Sequence, residues 1–144
     1  MKKFNQFIVE AKIPFFKDAK TVSFDFDFTL YYPSKAVRKD GLELFKKYLK
    51  AETDVIILTT RHSKFKNEVN NFVKTYAKTD IPIHFTEGED KADYIKANNL
   101  DIDVHYDDDE YEIDELNKST KVKGVLMPDT KESDDAFEQY YGIK

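Results

Sequence analysis

Thr53-Asp54-Val55-Ile56-Ile57-Leu58-Thr59 is the stretch that most limits what this chain can fold into. Its apolar residues run on without alternating, and continuous rather than alternating hydrophobicity marks a strand covered on both faces. Strands of that kind belong to parallel sheets, whose crossovers are helices lying on the two faces. The surrounding sequence supplies those crossovers. Val37, Leu42, Phe45, Tyr48 and Leu49 give a helical pattern over residues 36–50, and Phe65, Val69, Phe72 and Tyr76 share one helical stripe. Further strands are expected at about 20–26, Ile81–Phe85, Ile102–Tyr106 and Val122–Met127, with Pro82 favouring a sheet edge. Helices are expected at 89–98, 110–118 and 131–141. Strand–helix alternation of this length predicts an α/β fold, a Rossmann-like doubly wound sheet of five mainly parallel strands with helices on both faces.

Three segments follow: an amphipathic helix and linker over 1–19, a core over 20–128, and a closing helix over 129–144 packed on the core. At 144 residues there is little room for a second domain. No apolar run approaches a membrane span, and the first ten residues lack a secretory pattern. With no cysteine, disulfides, thiolate catalysis and Cys-ligated zinc are excluded, and a cytoplasmic setting is expected. A net charge of −5 argues against indiscriminate nucleic-acid binding, although a local basic lip of Arg61, Lys64, Lys66 and Lys91 remains open.

In a parallel α/β sheet, ligands bind at the carboxyl ends of the strands. Three of those ends carry chemistry. Asp25-Phe26-Asp27-Phe28-Thr29 follows the first strand, and its two acids, two residues apart, share a face if the segment stays extended. Leu58-Thr59-Thr60-Arg61 ends the second strand, and Asp107-Asp108-Asp109 ends the fourth. Lys91 opens the helix after the third strand. An acidic cage for a hard cation, a hydroxyl donor and a cation are what phosphoryl transfer needs. The plainer alternatives are an acidic turn, a solvated lysine and, for Asp109, a helix cap.

The order D-x-D-x-T, Thr, Lys, Asp-Asp, each at the end of its element from about residue 20 to 128, resembles the haloacid dehalogenase superfamily of phosphohydrolases. The resemblance implies a Mg²⁺-dependent phosphomonoester hydrolase. Asp25 would be the nucleophile, Asp27 the general acid and base, and Thr59 (with Thr60 the second choice) and Lys91 the holders of the phosphoryl oxygens. It implies a metal on Asp25, the Asp27 backbone carbonyl and Asp107 or Asp108, with Thr29, Thr60 and Arg61 on the substrate side. Phe28 stands where the family often has glycine. Neither inter-motif gap is long enough for the family's cap domains, so an open site is implied, with a nucleotide or nucleic-acid terminal phosphate favoured. Arg61 after the hydroxyl resembles polynucleotide-end phosphatases. The rim is expected to comprise Tyr31, Tyr32, Arg61 and Lys64. A binding protein of this fold without turnover, a phosphotransferase and a small-metabolite phosphatase remain alternatives. Ile8-Val9-Glu10-Ala11 resembles the cleavage pattern of tailed-phage prohead proteases, which would make the setting a host cytoplasm.

Overall fold

A computed structural model describes residues 13–142. Residues 1–12, which hold most of the expected N-terminal amphipathic helix and linker together with the Ile8–Ala11 pattern, lie outside the described residues. The elements run β1 (Thr21–Phe24), β2 (Tyr31–Tyr32), β3 (Ala36–Val37), α1 (Lys39–Lys50), β4 (Asp54–Thr59), a 3₁₀ turn (Ser63–Phe65), α2 (Asn67–Tyr76), β5 (Ile83–Phe85), α3 (Lys91–Ala97), β6 (Val104–Asp107), α4 (Glu110–Ser119), β7 (Lys123–Leu126) and α5 (Lys131–Tyr141). Five strands form one parallel sheet in the order β5-β4-β1-β6-β7. The chain is therefore α/β, with a Rossmann-like sheet flanked by helices. β5, which follows Pro82, is an edge strand as expected.

Side-chain alternation sorts the core into two layers. Val22, Phe24, Val55, Ile57 and Tyr106 pack with Phe45 and Tyr48 of α1 and Val69 and Phe72 of α2. The odd-even partners Ile56 and Leu58 pack instead with Ala92 and Ile95 of α3 and Leu116 of α4. β4 thus buries both faces, which explains its unbroken apolar run. Asp40 sits in the first turn of α1 and Lys47 and Lys50 in the last, matching the helix dipole at both ends. Gly41 lets α1 approach the loop after β1: a Cβ there would lie 2.0 Å from the carbonyl oxygen of Thr29.

Three sequence expectations need correction. β1 is shorter than 20–26, ending at Phe24, although the Asp25 N–H still donates to the Tyr106 carbonyl at 2.9 Å. The helix expected over 36–50 begins only at Lys39; Ala36 and Val37 belong instead to a two-stranded antiparallel hairpin over residues 31–37, too short to leave a periodic signal. Phe65 is not on the α2 stripe; it lies in the 3₁₀ turn, 59% exposed. Among the described residues no helix is long and apolar enough to cross a membrane.

Candidate functional site

Strand register builds the site. Ser23 pairs with His105 and Phe24 with Tyr106, so Asp25 and Asp107 come out side by side at the carboxyl ends of the two central strands. Here the crossovers turn away in opposite directions, which opens the crevice of a doubly wound sheet. Ser23, Asp25, His105 and Asp107 share one face by the period of two. Ser23 Oγ meets His105 Nδ1 at 2.6 Å, and His105 Nε2 meets Asp107 Oδ2 at 2.9 Å. Burial lowers the His105 pKa, so the ring is neutral near pH 7. In the tautomer that satisfies both contacts, Ser23 donates to Nδ1 and Nε2–H donates to Asp107.

Lys91, at the start of α3, is almost wholly buried. Its ammonium donates to Asp25 Oδ1 at 2.9 Å and to Asp107 Oδ2 at 2.5 Å, while its backbone N–H donates to Glu112 of α4 at 3.0 Å. Burial alone would depress the ammonium, but Asp107 and Asp25 outweigh it and raise its pKa. Asp107 would rise on burial, yet Lys91 and the His105 hydrogen bond hold it far below the usual carboxylate range. Asp25 goes the other way: burial and the Asp107 charge exceed the help from Lys91, so its pKa lies well above the ordinary value. Asp108, facing Asp25, is pushed up to about 6, chiefly by burial. One ammonium does not neutralise three carboxylates. Carboxylate oxygens of Asp25, Asp107 and Asp108 lie within 4.8 Å of one another, a hard-oxygen set suited to a divalent cation.

The other expected residues fall in distinct places. Thr29 is buried and donates to Asp25 Oδ2 at 3.0 Å, so it orients the acid. Asp27 stands outside the acidic cluster by its side chain. Arg61 clamps it through two hydrogen bonds of 2.8 Å, binds Glu68 at 2.9 Å, donates to the Phe65 carbonyl at 2.8 Å and lies over the Phe26 ring. Arg61 is thereby engaged by protein groups. Thr59 is buried at the end of β4, its hydroxyl accepting from the Arg61 N–H at 3.2 Å, and Thr60 is the threonine that lines the cleft. Asp109 caps α4, accepting from the N–H groups of Tyr111 and Glu112.

The cleft over these groups has a volume of about 740 Å³. Its rim differs from the one expected. Tyr31 stacks on Phe26 and bonds Glu68, Tyr32 is buried with its hydroxyl on Glu132, and Lys64 does not line the cleft. The basic lip that the sequence left open does not form around this cleft: Lys91 is buried beneath the site, Arg61 is tied to acids, and Lys64 and Lys66 do not line it. In their place stand Phe28, Phe65 and the α5 aromatics Phe137, Tyr140 and Tyr141. Sequence reasoning missed these and the Ser23–His105 support. The spacing of His105 and Asp107, on one strand face, was the available signal for the latter. No family model and no curated protein matches the chain.

Proposed function

We propose that this chain is a phosphomonoester hydrolase of the haloacid dehalogenase type, without a cap domain, acting through an aspartyl-phosphate. The observation that carries the reading is the buried Asp25–Lys91–Asp107 arrangement, with Asp108 beside it, at the carboxyl ends of β1 and β6. An Asp25 carboxylate oxygen attacks phosphorus, forming an acyl phosphate (a mixed anhydride) as the bond from phosphorus to the leaving oxygen breaks. Asp27 gives that oxygen its proton and then takes one from the water that cleaves the acyl phosphate, releasing phosphate and restoring Asp25. Lys91 supplies positive charge to the phosphoryl oxygens from below, and Thr29 keeps the nucleophile aimed.

A Mg²⁺ ion fits the donor set: Asp25, Asp107 and Asp108 would hold it, and the raised pKa values of Asp25 and Asp108 mark a surplus of negative charge that a cation relieves. When bound it would screen the nucleophile from the phosphoryl charge. Arg61 enters this reading as the residue that orients Asp27. The substrate is a nucleotide or a nucleic-acid terminal phosphate, and the setting is cytoplasmic. The test is a phosphate-release screen over nucleotides, sugar phosphates and phosphorylated oligonucleotides. Release that requires Mg²⁺ and stops in EDTA is expected. No release from any compound, with the fold intact, would overturn the reading.

A further inference from the structure

Exposed aromatic side chains are concentrated at one place on this molecule. Among the described residues, six large apolar side chains are exposed, and four of them (Phe65, Phe137, Tyr140 and Tyr141) line the cleft that holds Asp25. Three of these come from α5. That helix is fixed to the loop that carries the acids. Phe28 of the loop lies 5.7 Å from Phe137, 6.1 Å from Tyr140 and 6.2 Å from Tyr141, nearly parallel to the last. The buried Arg38 donates to the carbonyls of Phe28 and Pro128, joining the loop to the lead-in of α5. Thr130 and Ser133 close the start of the helix in a reciprocal capping box.

Phe28 holds a left-handed φ of +67°, a conformation that glycine adopts without cost and a bulky residue only with strain. The strained position carries a ring, and that ring, with Tyr32 against Ala136 and its hydroxyl on Glu132, holds the aromatic wall beside the acids. Tyr141 lines the same cleft as Asp25, Asp27 and Asp108.

Charge points the same way. The cleft is lined by eight carboxylic acids and three cations, and each of those cations already makes an ion pair: Lys35 with Glu68, Arg61 with Asp27 and Glu68, Lys91 with Asp25 and Asp107. A strand of nucleic acid, bound chiefly through its phosphates, meets repulsion here beyond the one phosphate at Asp25. A neutral planar group meets aromatic faces. The volume suits a ligand the size of one nucleotide.

Resting on the hydrolase reading above, we propose that α5 determines specificity: the leaving group is a single nucleoside whose base stacks on Phe137, Tyr140 and Tyr141, and polynucleotide ends are discriminated against by the acidic rim. The test compares kcat/KM for adenosine 5′-monophosphate, ribose 5-phosphate and a 5′-phosphorylated oligonucleotide, in wild type, Phe137→Ala and Tyr140→Ala. The mononucleotide should exceed ribose 5-phosphate by about 5- to 100-fold, the range one stacked base supplies, and either substitution should collapse that ratio toward one. The oligonucleotide should be the poorer substrate and improve as salt is raised, the reverse of ordinary nucleic-acid binding. Equal constants for nucleotide and ribose 5-phosphate, or a better oligonucleotide, would overturn the proposal while leaving the hydrolase intact. If no compound releases phosphate, the hydrolase reading fails by itself. The tyrosine ring resonances, followed by NMR as adenosine 5′-monophosphate and Mg²⁺ are added, then decide on the stacking surface alone: shifts at Tyr140 and Tyr141 uphold α5 as the place where the base stacks, and their absence overturns it.

Discussion

Replacing Asp108 by Asn should make the metal-free protein more stable at neutral pH. Asp108 is partly buried beside Asp25 and Asp107, and its pKa lies at about 6 against an ordinary 3.8. Below about pH 4 the carboxyl is protonated in both folded and unfolded chains and contributes nothing to the difference. Between about pH 4 and pH 6 the unfolded chain has released this proton while the folded chain still holds it, so stability falls through that window, and above about pH 6, where both are ionised, the loss is complete. Two pKa units correspond to about 3 kcal/mol, and sharing of the proton with Asp25 reduces what one residue carries to roughly 1–3 kcal/mol. The amide keeps the volume and removes the charge. Urea unfolding followed by circular dichroism in EDTA should therefore show Asp108→Asn more stable than wild type by that amount at about pH 7.5, with the gain vanishing near pH 4. Mg²⁺ should stabilise the wild type more than the variant, since binding to the folded state adds stability by mass action. A variant less stable in EDTA at neutral pH, or a difference independent of pH, would refute the crowding of charge argued here.

Gly41→Ala would place a Cβ 2.0 Å from the Thr29 carbonyl oxygen, where real contacts stay beyond 3.0 Å. It should cost about 3 kcal/mol in urea unfolding and lower turnover as well, because Thr29 orients Asp25. Arg61→Ala should lower kcat by roughly 10- to 100-fold, within the range of general acid–base assistance, with little change in KM, since Arg61 holds Asp27. A raised KM with kcat unchanged would instead make Arg61 a substrate contact.

Much of the site was legible because it depends on strand ends. The unbroken apolar run of β4 announced a two-faced parallel sheet, and in such a sheet Asp25 and Asp107 meet at the carboxyl edge by position alone. Lys91 was legible as the first residue of the following helix, although its ion pairs with both acids required the fold. The rim was not legible. Tyr31 and Tyr32 are adjacent to the acids in sequence, yet the hairpin at 31–37 turns them to Phe26, Glu68 and Glu132. Phe137, Tyr140 and Tyr141 are more than a hundred residues from Asp25, and contacts that only the fold makes, from Arg38, Tyr32 and the left-handed Phe28, bring their helix beside it. Arg61 is not a free cation for a similar reason: its partner Glu68 lies in the first turn of α2, brought back to it by the 3₁₀ turn between them.

The central claim is that Asp25 becomes phosphorylated and is freed again by water. Phosphate release with Mg²⁺ from the best substrate, measured for wild type and Asp25→Asn at equal protein concentration, tests it most directly, with circular dichroism confirming that both are folded. The amide keeps the shape of the carboxylate and removes its nucleophilic charge. The account predicts release by the wild type and essentially none by Asp25→Asn. Release by Asp25→Asn at the wild-type rate would contradict it.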